Sequence, residues 1–99
     1  MPKLVVFSTT PIEHEISEGS TSLGRSSAND IMLDDKSVSK RHALITYQIS
    51  KTGDIKVQIA DLHSTNGTFV NGDRITYRTL EDSDQLSIGT VQCAYLLNG

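Results

Sequence analysis

One cysteine, no tryptophan and two prolines occur among the 99 residues. A single thiol, Cys93, cannot close a disulfide within the chain, so a cross-linked scaffold is excluded and a reducing, intracellular compartment is expected. Positive charge is also in short supply. Nine basic residues face twelve acidic ones, a formal net charge of -3; a general nucleic-acid binder shows the opposite balance, so no direct nucleic-acid partner is expected. Long apolar runs are missing too. The longest lies near Leu4 to Phe7, far short of the roughly 20 residues a membrane helix needs, and no membrane partner is expected. The opening Met1-Pro2-Lys3-Leu4 runs straight into a strand-like segment, which argues against a secretory signal. His14, His42, His63 and Cys93 lack any paired ligand spacing, and no Walker-type glycine-rich loop exists, so neither a metal nor another cofactor is expected. No repeat, linker or low-complexity segment divides the chain, and a single domain over 1–99 is expected.

What remains suits an ordinary globular domain. Hydrophobic residues make up 36% and charged residues 21%, enough for one core at a size near the usual domain of about 100–150 residues. No window keeps a helical period. Short β-rich runs recur instead, bounded by turn residues: Leu4–Phe7, His14–Ile16, Thr21–Leu23, Ile31–Leu33, Ala43–Ile49, Ile55–Ala60, Thr68–Val70, Arg74–Thr76, Gln85–Ile88 and Val91–Leu97. Ile55, Val57 and Ile59 alternate, which predicts one buried and one wet face. Thr52-Gly53-Asp54 predicts a hairpin turn, and Asn71-Gly72 a two-residue turn with positive φ. Many short strands with frequent turns imply an all-β sandwich or barrel.

The unusual residues lie between the strands, at 24–42 and 61–72, where loops on a rigid scaffold carry function. Arg25 offers a planar fork of N–H donors to a tetrahedral oxyanion. Lys40 adds a point charge, and Ser39 a hydroxyl and a backbone N–H. Arg25, Lys36, Lys40 and Arg41 are four of the nine basic residues of an acidic chain. A phosphate monoester carries about -1.5 to -2 charge and three strong acceptors, a match for this donor set. Asn66 has a side-chain amide that both donates and accepts, suited to pairing with the main chain of an extended peptide.

Gly24-Arg25, Ser39-Lys40-Arg41-His42 and Ser64-Thr65-Asn66-Gly67-Thr68 stand in the order and spacing of the signature blocks of the forkhead-associated (FHA) family. Asn29-Asp30-Ile31 with Leu33, Asp61-Leu62, Phe69-Val70-Asn71-Gly72, and Leu80 with Asp84-Gln85-Leu86-Ser87-Ile88-Gly89 extend the resemblance over about 23–89. Each block is common by chance, but the set in this order is highly specific. The resemblance implies an eleven-stranded β-sandwich of two twisted sheets (FHA/SMAD-like) whose loops at one end bind phosphothreonine peptides. It implies phosphate contacts from Arg25, Ser39, Lys40 and Thr65, and a peptide-backbone contact from Asn66. Arg41 is an additional candidate contact. Gly24, His42 and Gly67 are implied as structural support: His42 ordering the Ser39 loop, Gly24 permitting the turn that aims Arg25. Lys40 departs from the arginine that many members carry, which keeps the charge and loses the fork.

The expected function is therefore a phosphothreonine-dependent binding module with phosphorylated protein partners, not an enzyme. A homodimerising scaffold, through phosphothreonine in its own chain at Thr9 or Thr10, is the alternative. A hydrolase built on Ser39, His42 and Asp61 lacks any nucleophile signature around Ser39. The last strand and the position of the motifs are faintly similar to those of checkpoint mediator proteins of chromatin, which implies a nuclear location and a DNA-damage role.

Overall fold

The computed structural model describes residues 1–97; Asn98 and Gly99, the end of the expected 1–99 domain, lie outside the described residues. Eleven strands follow one another: β1 (Lys3–Phe7), β2 (Ile12–Glu15), β3 (Gly19–Gly24), β4 (Ile31–Met32), β5 (Ala43–Ile49), β6 (Ile55–Asp61), β7 (Thr68–Val70), β8 (Asp73–Ile75), β9 (Tyr77–Thr79), β10 (Asp84–Ile88) and β11 (Val91–Leu96). They form a six-stranded sheet, ordered β2-β1-β11-β10-β7-β8, and a five-stranded sheet, ordered β4-β3-β5-β6-β9. The all-β sandwich expected from the sequence is the fold observed.

The core lies between the sheets. Leu4, Leu23, Ile45, Ile59, Leu86 and Ile88 are each fully buried, and removing each such side chain from water stabilises the fold by about 1.5–3 kcal/mol. Alternation sets the faces: β5 reads buried at Ala43, Ile45 and Tyr47 and more open at Leu44 and Thr46. Alternation fails at Ile55, which is 46% exposed although Val57 and Ile59 are buried. Ile55 pairs with Ile49, which is also exposed, at the outer end of the β5–β6 hairpin. The hairpin turn at Thr52-Gly53-Asp54 and the turn at Asn71 (φ 50°) and Gly72 (φ 87°) are as expected.

Other boundaries differ from the sequence reading. The second strand starts at Ile12 and stops before Ile16, whose N–H donates to the Pro2 carbonyl at 2.9 Å while its side chain plugs the core. Tyr77-Arg78-Thr79 forms β9, which sequence patterning does not pick out: it is a polar edge strand, held to β6 by ladder bonds and by a Gln58–Tyr77 side-chain hydrogen bond. An edge strand needs only one neighbour and little apolar surface, so it carries no alternation to read.

Candidate functional site

The site is built on the loops that leave β3, β4, β6 and β10. β3 and β4 pair in parallel, with Gly24 opposite Met32. At the end of β3 the Arg25 N–H donates to the Ser39 carbonyl at 3.0 Å, and the Ser26 N–H to the Lys40 carbonyl at 3.3 Å. The 25–30 and 33–42 loops are thus laced together by backbone. Asn29 reinforces the lacing: its Nδ2 donates to Lys40 O at 2.7 Å and to Ser26 O at 2.9 Å. Gly24 makes this approach possible, because a Cβ there would be driven into the Lys40 carbonyl and the Asn29 amide.

His42 joins this pair of loops to a third. Its ring is completely buried. Nδ1 accepts the Ser39 N–H at 3.0 Å, so the ring proton resides on Nε2, which donates to the Gly67 carbonyl at 2.8 Å. Gly67 adopts φ 91°, a conformation that side chains resist, and its N–H donates to Ser64 Oγ at 3.0 Å. Beneath it lies Asp61. The Ser64 hydroxyl donates to Asp61 Oδ1 at 2.5 Å, the Thr68 hydroxyl to the same oxygen at 2.8 Å, and the Ser64 N–H to Oδ2 at 3.1 Å. Partial burial acts to raise the Asp61 carboxyl. The donors from Ser64 and Thr68 outweigh it and hold the group below its ordinary value.

On this frame Arg25, Lys36, Ser37, Val38, Ser39, Lys40, Thr65 and Asn66 line one surface depression of 320 Å³. Arg25 Nε donates to the Val38 carbonyl at 3.0 Å. That bond fixes the guanidinium and leaves its two terminal nitrogens for a ligand. Ser39 Oγ accepts the Thr65 N–H at 3.1 Å, which leaves the hydroxyl proton to donate outward. Asn66 Nδ2 donates to the Ser37 carbonyl at 2.8 Å. This contact orients the amide and leaves Oδ1 and the second N–H for an extended chain. Two cationic side chains besides Arg25, Lys36 and Lys40, complete a wall suited to a dianion.

All five expected binding residues therefore meet in one depression. Arg41 does not. It is exposed beside a neighbouring depression, with Ser22, Ser26, Ala28 and Asn29, across Lys40. Sequence reading missed the hub at Ser37. Its hydroxyl donates to Asp35 Oδ1 at 2.6 Å, accepts the Thr90 N–H at 2.9 Å and lies 2.8 Å from the Thr90 hydroxyl. The Ser37 hydroxyl first, then the Ser37 N–H, hold the Asp35 carboxyl below its ordinary value. Ser37 so ties the β10–β11 turn to the loop that holds Asn66. Nothing in the sequence spacing announces a contact between residues 37 and 90.

The same geometry is unlike a hydrolytic triad. His42 meets the backbone N–H of Ser39 rather than its hydroxyl, and both ring nitrogens are already engaged. A general base must reach the nucleophile's proton.

The FHA domain family model matches residues 21–89. This chain belongs to the FHA family. Among curated proteins, the FHA domain is similar to the oxoglutarate dehydrogenase inhibitor of Corynebacterium jeikeium, 33% identical over 81 residues that cover 82% of this chain and 53% of that protein. It is equally similar to the glycogen accumulation regulator GarA of Mycolicibacterium smegmatis, 33% identical over 82% of this chain and 48% of that protein. The chain thus spans about half the length of these two relatives. Among solved structures, a domain studied for phosphothreonine-dependent FHA interactions superposes with a TM-score of 0.88 and 28% identity, covering 99% of this chain and 97% of that one. Mycobacterium tuberculosis EmbR, solved with a low-affinity phosphopeptide, superposes with a TM-score of 0.81 and 27% identity over 98% of this chain and 25% of that one.

These relatives overturn the nuclear location expected from the sequence: the matched regulators come from corynebacteria and mycobacteria, cells without a nucleus. The residues behind that expectation have a packing explanation. Cys93 and Tyr95 of β11 are buried core residues, and core composition carries no cellular address.

Proposed function

We propose that this FHA domain binds phosphothreonine within an extended peptide. The phosphate sits against the terminal nitrogens of Arg25, the Ser39 hydroxyl, Lys40 and Thr65, and Asn66 pairs with the peptide main chain beside it. The observation that carries this reading is the pairing of Arg25 with Ser39 in one depression. Each spends its inward hydrogen-bonding capacity on the frame, at Val38 O and Thr65 N–H respectively, and keeps its outward donors. Donors fixed before the ligand arrives cost less to order on binding. Family membership and the phosphopeptide-bound EmbR neighbour support the same reading.

The role that follows is recruitment of phosphorylated proteins rather than catalysis. The matched relatives include a regulator and an enzyme inhibitor, which favours a regulatory role over a checkpoint role. We take the folded unit to run from β1 through β11, because β1 and β2 lie before the matched residues 21–89 and β11 after them, and all three complete one sheet.

Isothermal titration with a matched set of peptides, carrying phosphothreonine, phosphoserine or unmodified threonine at one position, tests the reading. Binding is expected for phosphothreonine, weaker binding for phosphoserine and none for the unmodified peptide. The missing methyl is worth about 1–3 kcal/mol where a small apolar pocket holds it. Equal binding of modified and unmodified peptides would remove the proposal.

A further inference from the structure

The open side of the sandwich carries a second surface that the phosphate site does not use. β2 is an edge of the six-stranded sheet and β4 an edge of the five-stranded sheet. A groove of 450 Å³ is lined by residues of both strands, of β1 and β11, and of the loop after β4. Its walls are apolar and wet: Phe7 is 46% exposed, Ile12 51% and Met32 53%. Single exposed apolar side chains are ordinary on a protein surface, but three lining one groove are a feature of interaction sites. Asp34 and Asp35 give the groove an acidic rim.

Three bonds connect this groove to the phosphate depression. Asp35 and Thr90, which line the groove, are both hydrogen-bonded to Ser37, and Ser37 O holds the amide of Asn66. Ser37 therefore stands between the two sites, which places the groove directly beside the residue that holds Asn66. The two sites differ in chemistry: one is cationic and polar, the other apolar with an acidic rim.

We infer that the groove between β2, β4 and β11 is a second docking surface for the phosphorylated partner, taking an extended segment of that same partner that combines apolar and basic residues. The proposal rests on the phosphothreonine reading, because continuity with that site selects this occupant. Phosphate supplies the modification-dependent part of recognition. Apolar side chains over Phe7, Ile12 and Met32, with a lysine or arginine against Asp34 and Asp35, supply the partner-selective part. Removing one aliphatic side chain of the partner from water into the groove corresponds to roughly tenfold in affinity.

The test uses an extended degenerate peptide library with phosphothreonine fixed at its centre, selected on the whole chain, on an Ile12→Ser/Met32→Ser double variant and on Asp34→Lys. The wild-type domain is expected to enrich apolar and basic residues at a fixed spacing from the phosphothreonine. The double variant should lose the apolar enrichment and keep the phosphate requirement. Asp34→Lys should exchange basic for acidic enrichment. Thermal melting of each variant near wild type confirms that the comparison is between folded domains; all three positions are exposed. Selection that is flat outside the phosphothreonine, or unchanged in the variants, overturns the groove while leaving phosphate binding intact. Selection of the same apolar-basic pattern with equal yield from phosphorylated and unphosphorylated libraries supports the groove and removes the phosphothreonine reading instead. Concentration-dependent dimerisation in sedimentation, abolished by the double variant, would assign the groove to a second copy and overturn the proposal.

Discussion

His42 Nε2 donates to the carbonyl of Gly67, 25 residues along the chain, at 2.8 Å while its Nδ1 accepts the N–H of Ser39, so one buried ring holds two site loops together. The separation between residues that hold the site and residues that face a ligand follows from this bond.

Arg25→Ala should melt near wild type and bind phosphopeptide at least about tenfold more weakly, since a charge-assisted contact is worth roughly 1.5–3 kcal/mol. Its side chain is exposed and makes one bond to the frame, at Val38 O. His42→Ala should first lose stability. It opens a cavity and leaves Ser39 N–H and Gly67 O without partners, a loss of about 2–5 kcal/mol. Thermal unfolding beside phosphopeptide titration separates the two. Normal binding by Arg25→Ala would mean the phosphate lies elsewhere.

Asn66→Ala tests whether the amide faces the ligand. Its one internal bond, to Ser37 O, is exposed, so its loss should cost little stability. Affinity should fall by about 1–3 kcal/mol if a peptide main-chain group is left unpaired. A large drop in melting temperature with unchanged affinity would make Asn66 a loop brace.

Gly24→Ala should be destabilising by about 1–3 kcal/mol, because the added methyl must displace the Lys40 carbonyl and Asn29 amide that lace the two loops. Differential scanning calorimetry reads the loss. Wild-type stability would show that the loops tolerate separation at this point.

Acid should weaken the β6–β7 loop through Asp61. Its folded carboxyl is held below its ordinary value, so the stabilisation is complete above the ordinary carboxylate range and is lost as pH falls through the lower folded pKa. Urea unfolding from neutral pH down to about pH 3 should show this fall, and Asp61→Asn should be less stable at neutral pH with a shallower acid slope. An unchanged slope would mean the Asp61 bonds do not differ in strength between its two protonation states.

Raised salt should weaken phosphopeptide binding. Arg25, Lys36 and Lys40 line the depression at the surface, where ions screen charge–charge attraction. Titrations from low to high salt should show a steady loss. A flat response would point to recognition through neutral donors alone.

Cys93 should resist alkylation in the folded domain. It is buried in β11, and burial pushes its thiol up to about 12, which removes the reactive thiolate. Mass spectrometry after iodoacetamide, with and without denaturant, reads the difference. Rapid labelling of the native protein would show that β11 opens readily.

Local chemistry by itself determined much of this protein. Turn pairs such as Asn71-Gly72 demand positive φ wherever they fall. Alternation marked the buried face of most of β6, and the resemblance of Gly24-Arg25, Ser39 to His42 and Ser64 to Thr68 to the FHA signature blocks marked the residues that share one loop cluster. The limits of such reading are physical as well. Ile55 continues the apolar alternation yet is exposed, because it sits at the outer end of the β5–β6 hairpin. Tyr77–Thr79 becomes a strand only because β6 offers it an edge. Arg41 stands beside Lys40 in sequence but across it in space, since successive residues diverge where the chain turns into β5. The Ser37–Thr90 contact, and the groove beyond it, arise where two sheets meet. Tertiary structure alone decided these, because such contacts join residues whose separation along the chain carries no local signal.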